Sequence, residues 1–108
     1  MMLIERTKVT QENAQELREK IQVCDIQEAI VPGAEIEAWD SKIMGTSHII
    51  VVFHDTGRAA HFAGSDSDWG EWDEKEQVIT LDEKYRGGRS IIIDQDAWMK
   101  LGRVIITP

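Results

Sequence analysis

Residues 47–63, SHIIVVFHDTGRAAHFA, decide the fold. Two apolar, β-branched or aromatic runs flank the short polar connection Asp55-Thr56-Gly57, the pattern of a β-hairpin. Pairing Asp55 with Arg58 across the turn sets the expected register, with His54 opposite Ala59 and Val52 opposite His61. One face of the hairpin then carries Ile49, Val51, Phe53, Ala60 and Phe62 and is the core side. The other carries His48, Ile50, Val52, Ala59 and Ala63, with His54 and His61 as diagonal neighbours.

Strand signals continue on both sides of the hairpin. Residues 34–39 (AEIEAW) alternate strictly, with Ala34, Ile36 and Ala38 on one side and Glu35, Glu37 and Trp39 on a side expected to be wet. Residues 78–81 and 90–93 are rich in Ile and Val and read as a further pair around Gly87-Gly88. Residues 103–107 return as a last strand.

Two helices are expected around this sheet. The longer starts at Thr10 as N-cap, carries Ala14, Leu17, Ile21 and Cys24 on one face, and ends before Pro32-Gly33, with Cys24-Asp25 as the place for a break. Glu16 and Lys20 form a favourable i, i+4 pair on its other face. The shorter has Asp94 as N-cap, Ala97, Trp98 and Leu101 as its apolar stripe, and Gly102 at its end. The fold class expected is therefore α+β, a single domain over residues 1–108. It would be a mostly antiparallel sheet of about five to six strands packed with one long N-terminal and one short C-terminal helix.

Twelve basic and twenty acidic side chains give 108 residues a formal charge of -8. That balance repels a phosphate backbone, so direct nucleic-acid binding is not expected, and it favours a basic protein surface as partner. The apolar run 49–53 is far short of a bilayer span, so no membrane partner is expected. The opening Met1-Met2-Leu3-Ile4-Glu5-Arg6 turns charged at once and reads as part of the fold. One cysteine, Cys24, allows no internal disulfide and no multi-thiolate zinc site; on the helix stripe it is a small hydrophobe, and the cytoplasm is the expected compartment.

Cofactor motifs do not occur: there is no phosphate-binding GxxxxGK[ST], no GxGxxG after a strand and no G-x-S-x-G turn, so no cofactor is expected. Residues 66–77 begin like a calcium loop with Asp66 and Asp68, then fail at Gly70, Glu71 and Gln77. Residues 65–76 (SDSDWGEWDEKE) nevertheless stand out, with six acidic side chains, one lysine and two of the four tryptophans. Read as a loop, they offer rigid indole surface beside carboxylates, a composition that anchors and steers basic partners. The expected partner-binding residues are Asp66, Asp68, Trp69, Glu71, Trp72 and Asp73.

Function is expected accordingly: a small acidic binding module, an inhibitor or adaptor docking on the basic surface of a nucleic-acid-handling protein. Small acidic phage and mobile-element proteins that block such grooves supply the analogy. The alternative is a metal-dependent hydrolase or lyase using His54 and His61 of the hairpin with a carboxylate such as Asp55 or Asp66. A third reading places a single-stranded nucleic acid on Tyr85, Arg86 and Arg89, against the acidic character of the chain.

Overall fold

A computed structural model describes residues 3–21, 23, 26–40, 47–63, 66–86, 90–92 and 105–107. The hairpin of residues 47–63 sits inside a longer run of up-and-down strands. These are β1 (Leu3–Lys8), β2 (Ala34–Asp40), β3 (Ser47–Phe53), β4 (Arg58–Ala63), β5 (Asp66–Asp73), β6 (Val78–Leu81), β7 (Ser90–Ile92) and β8 (Ile105–Thr107). Each pairs antiparallel with the next, in the order β1-β2-β3-β4-β5-β6-β7-β8. Helix α1 spans Ala14–Lys20, a single 3-10 turn spans Gln27–Ala29, and a four-residue α2 spans Glu83–Arg86.

Among the described residues sheet therefore dominates, and the expected arrangement, five to six strands packed with a long N-terminal helix, is corrected to a longer run of strands with one seven-residue helix. The expected apolar stripe is real: Ala14, Leu17 and Ile21 are buried. The helix stops because its carbonyls find another donor. Gln27 Nε2 donates to Arg18 O at 3.2 Å and to Ile21 O at 2.8 Å, while Ile21 itself is already extended. Side-chain donation to those carbonyls ends the helix where continued backbone donation would prolong it. Ahead of the other end Asn13 and Thr10 exchange bonds, Thr10 N–H to Asn13 Oδ1 at 2.7 Å and Asn13 N–H to Thr10 Oγ1 at 3.2 Å, which shape the turn before the helix; the N-cap is Asn13, whose side chain makes no capping bond, instead of the expected Thr10. Residues 94–102, expected as the second helix, lie outside the described residues.

One face of the sheet packs on α1 and the 3-10 turn. Ile36, Ala38, Ile49, Val51, Ala60 and Phe62 bury there with Leu17, Ile21, Ile26 and Ile30, and among the described residues Phe62 is the largest side chain sealed from solvent. The opposite face holds a second cluster of Trp39, Ile50, Val52, Ala59, Ile79 and Leu81, with Trp72 against it. The expected wet side of β2 is thus not wet: Glu37 is 5% and Trp39 3% exposed.

What covers that second face is the curl of the sheet itself. Arg6 on β1 hydrogen-bonds the side chain of Gln77 beyond β5, and its guanidinium carbon lies 6.0 Å from the centre of the Trp72 ring. In a flat sheet strands four places apart lie roughly 19 Å from each other at the usual strand spacing, so contact between β1 and the end of β5 requires the sheet to bend around this face. Gly70 on β5 permits the bend. A Cβ placed there would meet the carbonyl oxygen of Thr80 at 2.1 Å, so the β6 backbone passes where any side chain would stand.

Arg6 also bonds Glu37 Oε1 at 3.4 Å, drawing β2 into the closure. Replacing Arg6 by alanine is expected to lower unfolding free energy by about 2 kcal/mol, the range for hydrogen bonds to charged groups. Urea denaturation measures it; an unchanged midpoint would show that Arg6 does not hold the curl.

Candidate functional site

The hairpin keeps its expected faces but not its expected partners. Gly57, at φ 71°, ends a four-residue turn in which Gly57 N–H donates to Phe53 O at 2.9 Å. A left-handed glycine at that position closes the loop one pair earlier. Phe53 therefore pairs with Arg58, Val52 with Ala59, and Ile50 with His61. Because the shift is a whole pair, every residue stays on its face. His54, expected within the ladder beside His61, sits instead in the turn, where Nε2 is 3.2 Å from Glu35 Oε1 and Nδ1 is 4.0 Å from Glu74 Oε2. The diagonal neighbour of His61 is His48, so the pair named for a metal, His54 and His61, is not brought together.

His48 and His61 instead meet each other inside the curl. His48 Nδ1 and His61 Nε2 are 2.9 Å apart, with the ring centres at 5.2 Å and the planes 17° apart. These distances describe two imidazoles facing head-on across one N–H···N bond. On the far side of His61, Nδ1 lies 3.8 Å from Asp68 Oδ2 on β5. His48 is flanked by Trp39, ring centres 6.0 Å apart. All three polar side chains are nearly sealed, at 5%, 6% and 6% exposure for His48, His61 and Asp68. Burial, and then the neighbouring His61, push the His48 pKa down to about 4, so its imidazole is neutral at physiological pH. Among the described residues no three His, Cys, Asp or Glu side chains are grouped to hold a metal ion.

The acidic segment is likewise not the loop its composition suggests. Residues 66–73 form β5, paired with β4 on one side and β6 on the other. Period two then divides the six expected contact residues. Asp68 and Trp72 face into the curl, and Trp69 faces the helix side, where its ring lies 5.7 Å from Phe53, stacked, and 6.0 Å from Phe62, edge-on. Asp66 begins the strand. Trp69 and Trp72 are each half-buried, on opposite faces. Composition marks this stretch as polar loop; the alternation of Asp68, Gly70 and Trp72 with Ser67 and Trp69 is the signal that marks it as a strand.

Exposed carboxylates collect at one end of the sheet. The β3–β4 and β5–β6 turns both follow strands running the same way, so they project from the same end. Asp55 on the first, Glu71 and Asp73 at the end of β5, and Glu74 and Glu76 on the second are all exposed. Trp72 donates its indole N–H to Glu74 Oε2 at 2.5 Å, which holds the Glu74 carboxyl below its usual range. Asp73 Oδ1 accepts the Glu76 N–H at 3.0 Å and shapes the turn.

Arg58 braces this end from the helix side. Its guanidinium grips Asp82 through two bonds, at 2.9 and 2.6 Å, and reaches Glu71 at 3.2 Å. The hydrogen bonds from Arg58 lower the Asp82 pKa, and the same contact raises that of Arg58.

The chain matches no protein-family model, no curated protein and no solved structure. Among the described residues no helix is long and apolar enough to cross a membrane. Tyr85 and Arg86, named for a nucleic-acid contact, fall in α2, whereas Arg89 lies outside the described residues.

Proposed function

We propose that this is a small acidic binding module of the cytoplasm, which docks the carboxylate-rich end of its sheet on the basic surface of a partner protein. The reading rests on one observation: five exposed carboxylates, Asp55, Glu71, Asp73, Glu74 and Glu76, share the end formed by two adjacent turns. It differs from the composition-based surface in its members. Glu71 and Asp73 remain, Asp55, Glu74 and Glu76 join them, and Trp72 contributes an indole edge held beside Glu74. Asp68 is buried inside the curl and Trp69 is half-buried on the helix side, stacked with Phe53.

A carboxylate surface on a chain of charge -8 attracts cations over several ångströms and accelerates encounter with a basic groove. A groove that binds nucleic acid has the matching sign, which makes a nucleic-acid-handling protein the partner of choice and inhibition or adaptation the effect.

The test is affinity capture from host lysate on the immobilised protein. A basic protein retained at about 0.1 M salt and released near 1 M, where screening shortens to a few ångströms, supports the reading. Retention of nothing beyond the bare support, or only of proteins that high salt leaves bound, removes it.

A further inference from the structure

The buried imidazole pair is not used by that surface, and it is costly to keep. Two titratable rings and a carboxylate are sealed inside the curl, where a fold needing only packing would place apolar side chains. Their order along the sheet is a chain, Asp68 on β5, His61 on β4 and His48 on β3, with Trp39 of β2 stacked at its end.

We propose that Asp68, His61 and His48 form an acid-sensitive latch, in which a single N–H···N bond between the two imidazoles ties β3 to β4 inside the curl and a proton taken up at His48 works against the folded state by placing a cation in that sealed interior.

Proton bookkeeping follows from the geometry. Two neutral imidazoles carry two N–H groups among four ring nitrogens, and the head-on contact holds one of them. Asp68 Oδ2, 3.8 Å from His61 Nδ1, attracts the other to that nitrogen. His61 Nε2 is then the acceptor, and His48 Nδ1 is the donor across the 2.9 Å contact. The next proton must enter at His48 Nε2, which places a cation in the interior.

Among the described side chains facing the pair from the packed strands, β5 supplies Asp68 and β2 supplies Glu37. Arg6 of β1 already engages Glu37 at 3.4 Å. Burial, and then the second imidazole, hold His48 down to about 4.

An unfolded histidine titrates near 6.5, so between that value and about 4 the unfolded chain binds the proton that folded His48 refuses. This contribution to stability is complete above pH 6.5 and is lost as pH falls through the window.

The experiment uses the whole protein in two ways. Nitrogen-15 NMR of the imidazoles at pH 7 should find His48 protonated on Nδ1 and bare on Nε2, His61 protonated on Nδ1, and His48 still neutral at pH 5. Urea denaturation should show the folding equilibrium constant falling on the order of tenfold between pH 7 and pH 5, and falling distinctly less in the His48→Gln, His61→Gln double variant. A protonated His48 in the folded protein at pH 5, the opposite tautomers, or an equal loss in the double variant would overturn the latch. If the double variant does not fold, the NMR measurement on the unaltered chain decides alone.

Discussion

Gly70→Ala is expected to destabilise the protein by about 3 kcal/mol, and Gly70→Val by more. The added Cβ would lie 2.1 Å from the Thr80 carbonyl oxygen and 2.8 Å from the Leu81 Cα. Both are backbone atoms of β6, so no side-chain rotation relieves the clash. β6 would have to move away from β5, and Leu81 and Ile79 would leave the cluster they form with Trp39, Ile50 and Val52. The loss reaches beyond one contact because the curl depends on this approach. Denaturation by urea or heat measures it. A variant within about 0.5 kcal/mol of the original, the usual range for harmless surface changes, would mean that the sheet does not bend at Gly70.

Reversing charge at Asp55 and Glu76 is the second large effect. Among the described residues neither side chain enters an ion pair, and neither donates or accepts in the hydrogen bonds that shape the two turns. The Asp55→Lys, Glu76→Lys protein should therefore fold with its original stability. Its charge rises from -8 to -4, with the whole change at the docking end. Association with the captured basic partner should slow at least tenfold at low salt, within the range that electrostatic steering spans, while dissociation changes less. Stopped-flow mixing of the two purified proteins reads both rates. An unchanged association rate would move the interface elsewhere on the molecule.

Residues 47–63 show how far local pattern reaches. Alternation assigns each of them to a face, and that survives a register shift of one whole pair. The identity of the histidine pair does not survive, because it depends on whether Gly57 or Asp55-Thr56 closes the turn, and several turn types fit those residues. The stripe at Ala14, Leu17 and Ile21 is likewise legible, whereas the end of the helix is set by Gln27, whose side chain returns from beyond the helix to cap it.

Two misreadings share one cause. Glu37 and Trp39 read as solvent-facing because alternation along β2 reveals two faces but not what covers the second. Residues 65–76 read as an exposed loop because acidic side chains outnumber apolar ones there. Both depend on the curl, which brings β1, β2 and the β5–β6 turn together through Arg6, Glu37, Trp72 and Gln77. Contacts between residues 6 and 77 leave no local trace in either segment. Gly70 is the one visible clue, a glycine between two tryptophan-bearing halves of a strand.

The docking reading is tested most directly by the rate at which the unaltered protein associates with its captured partner as ionic strength is raised from about 0.1 M to about 1 M, where the screening length shrinks from about 10 Å to about 3 Å. A steep fall of that rate, with the dissociation rate nearly constant, is the expected result for carboxylates steering a basic groove. A rate indifferent to salt would contradict it.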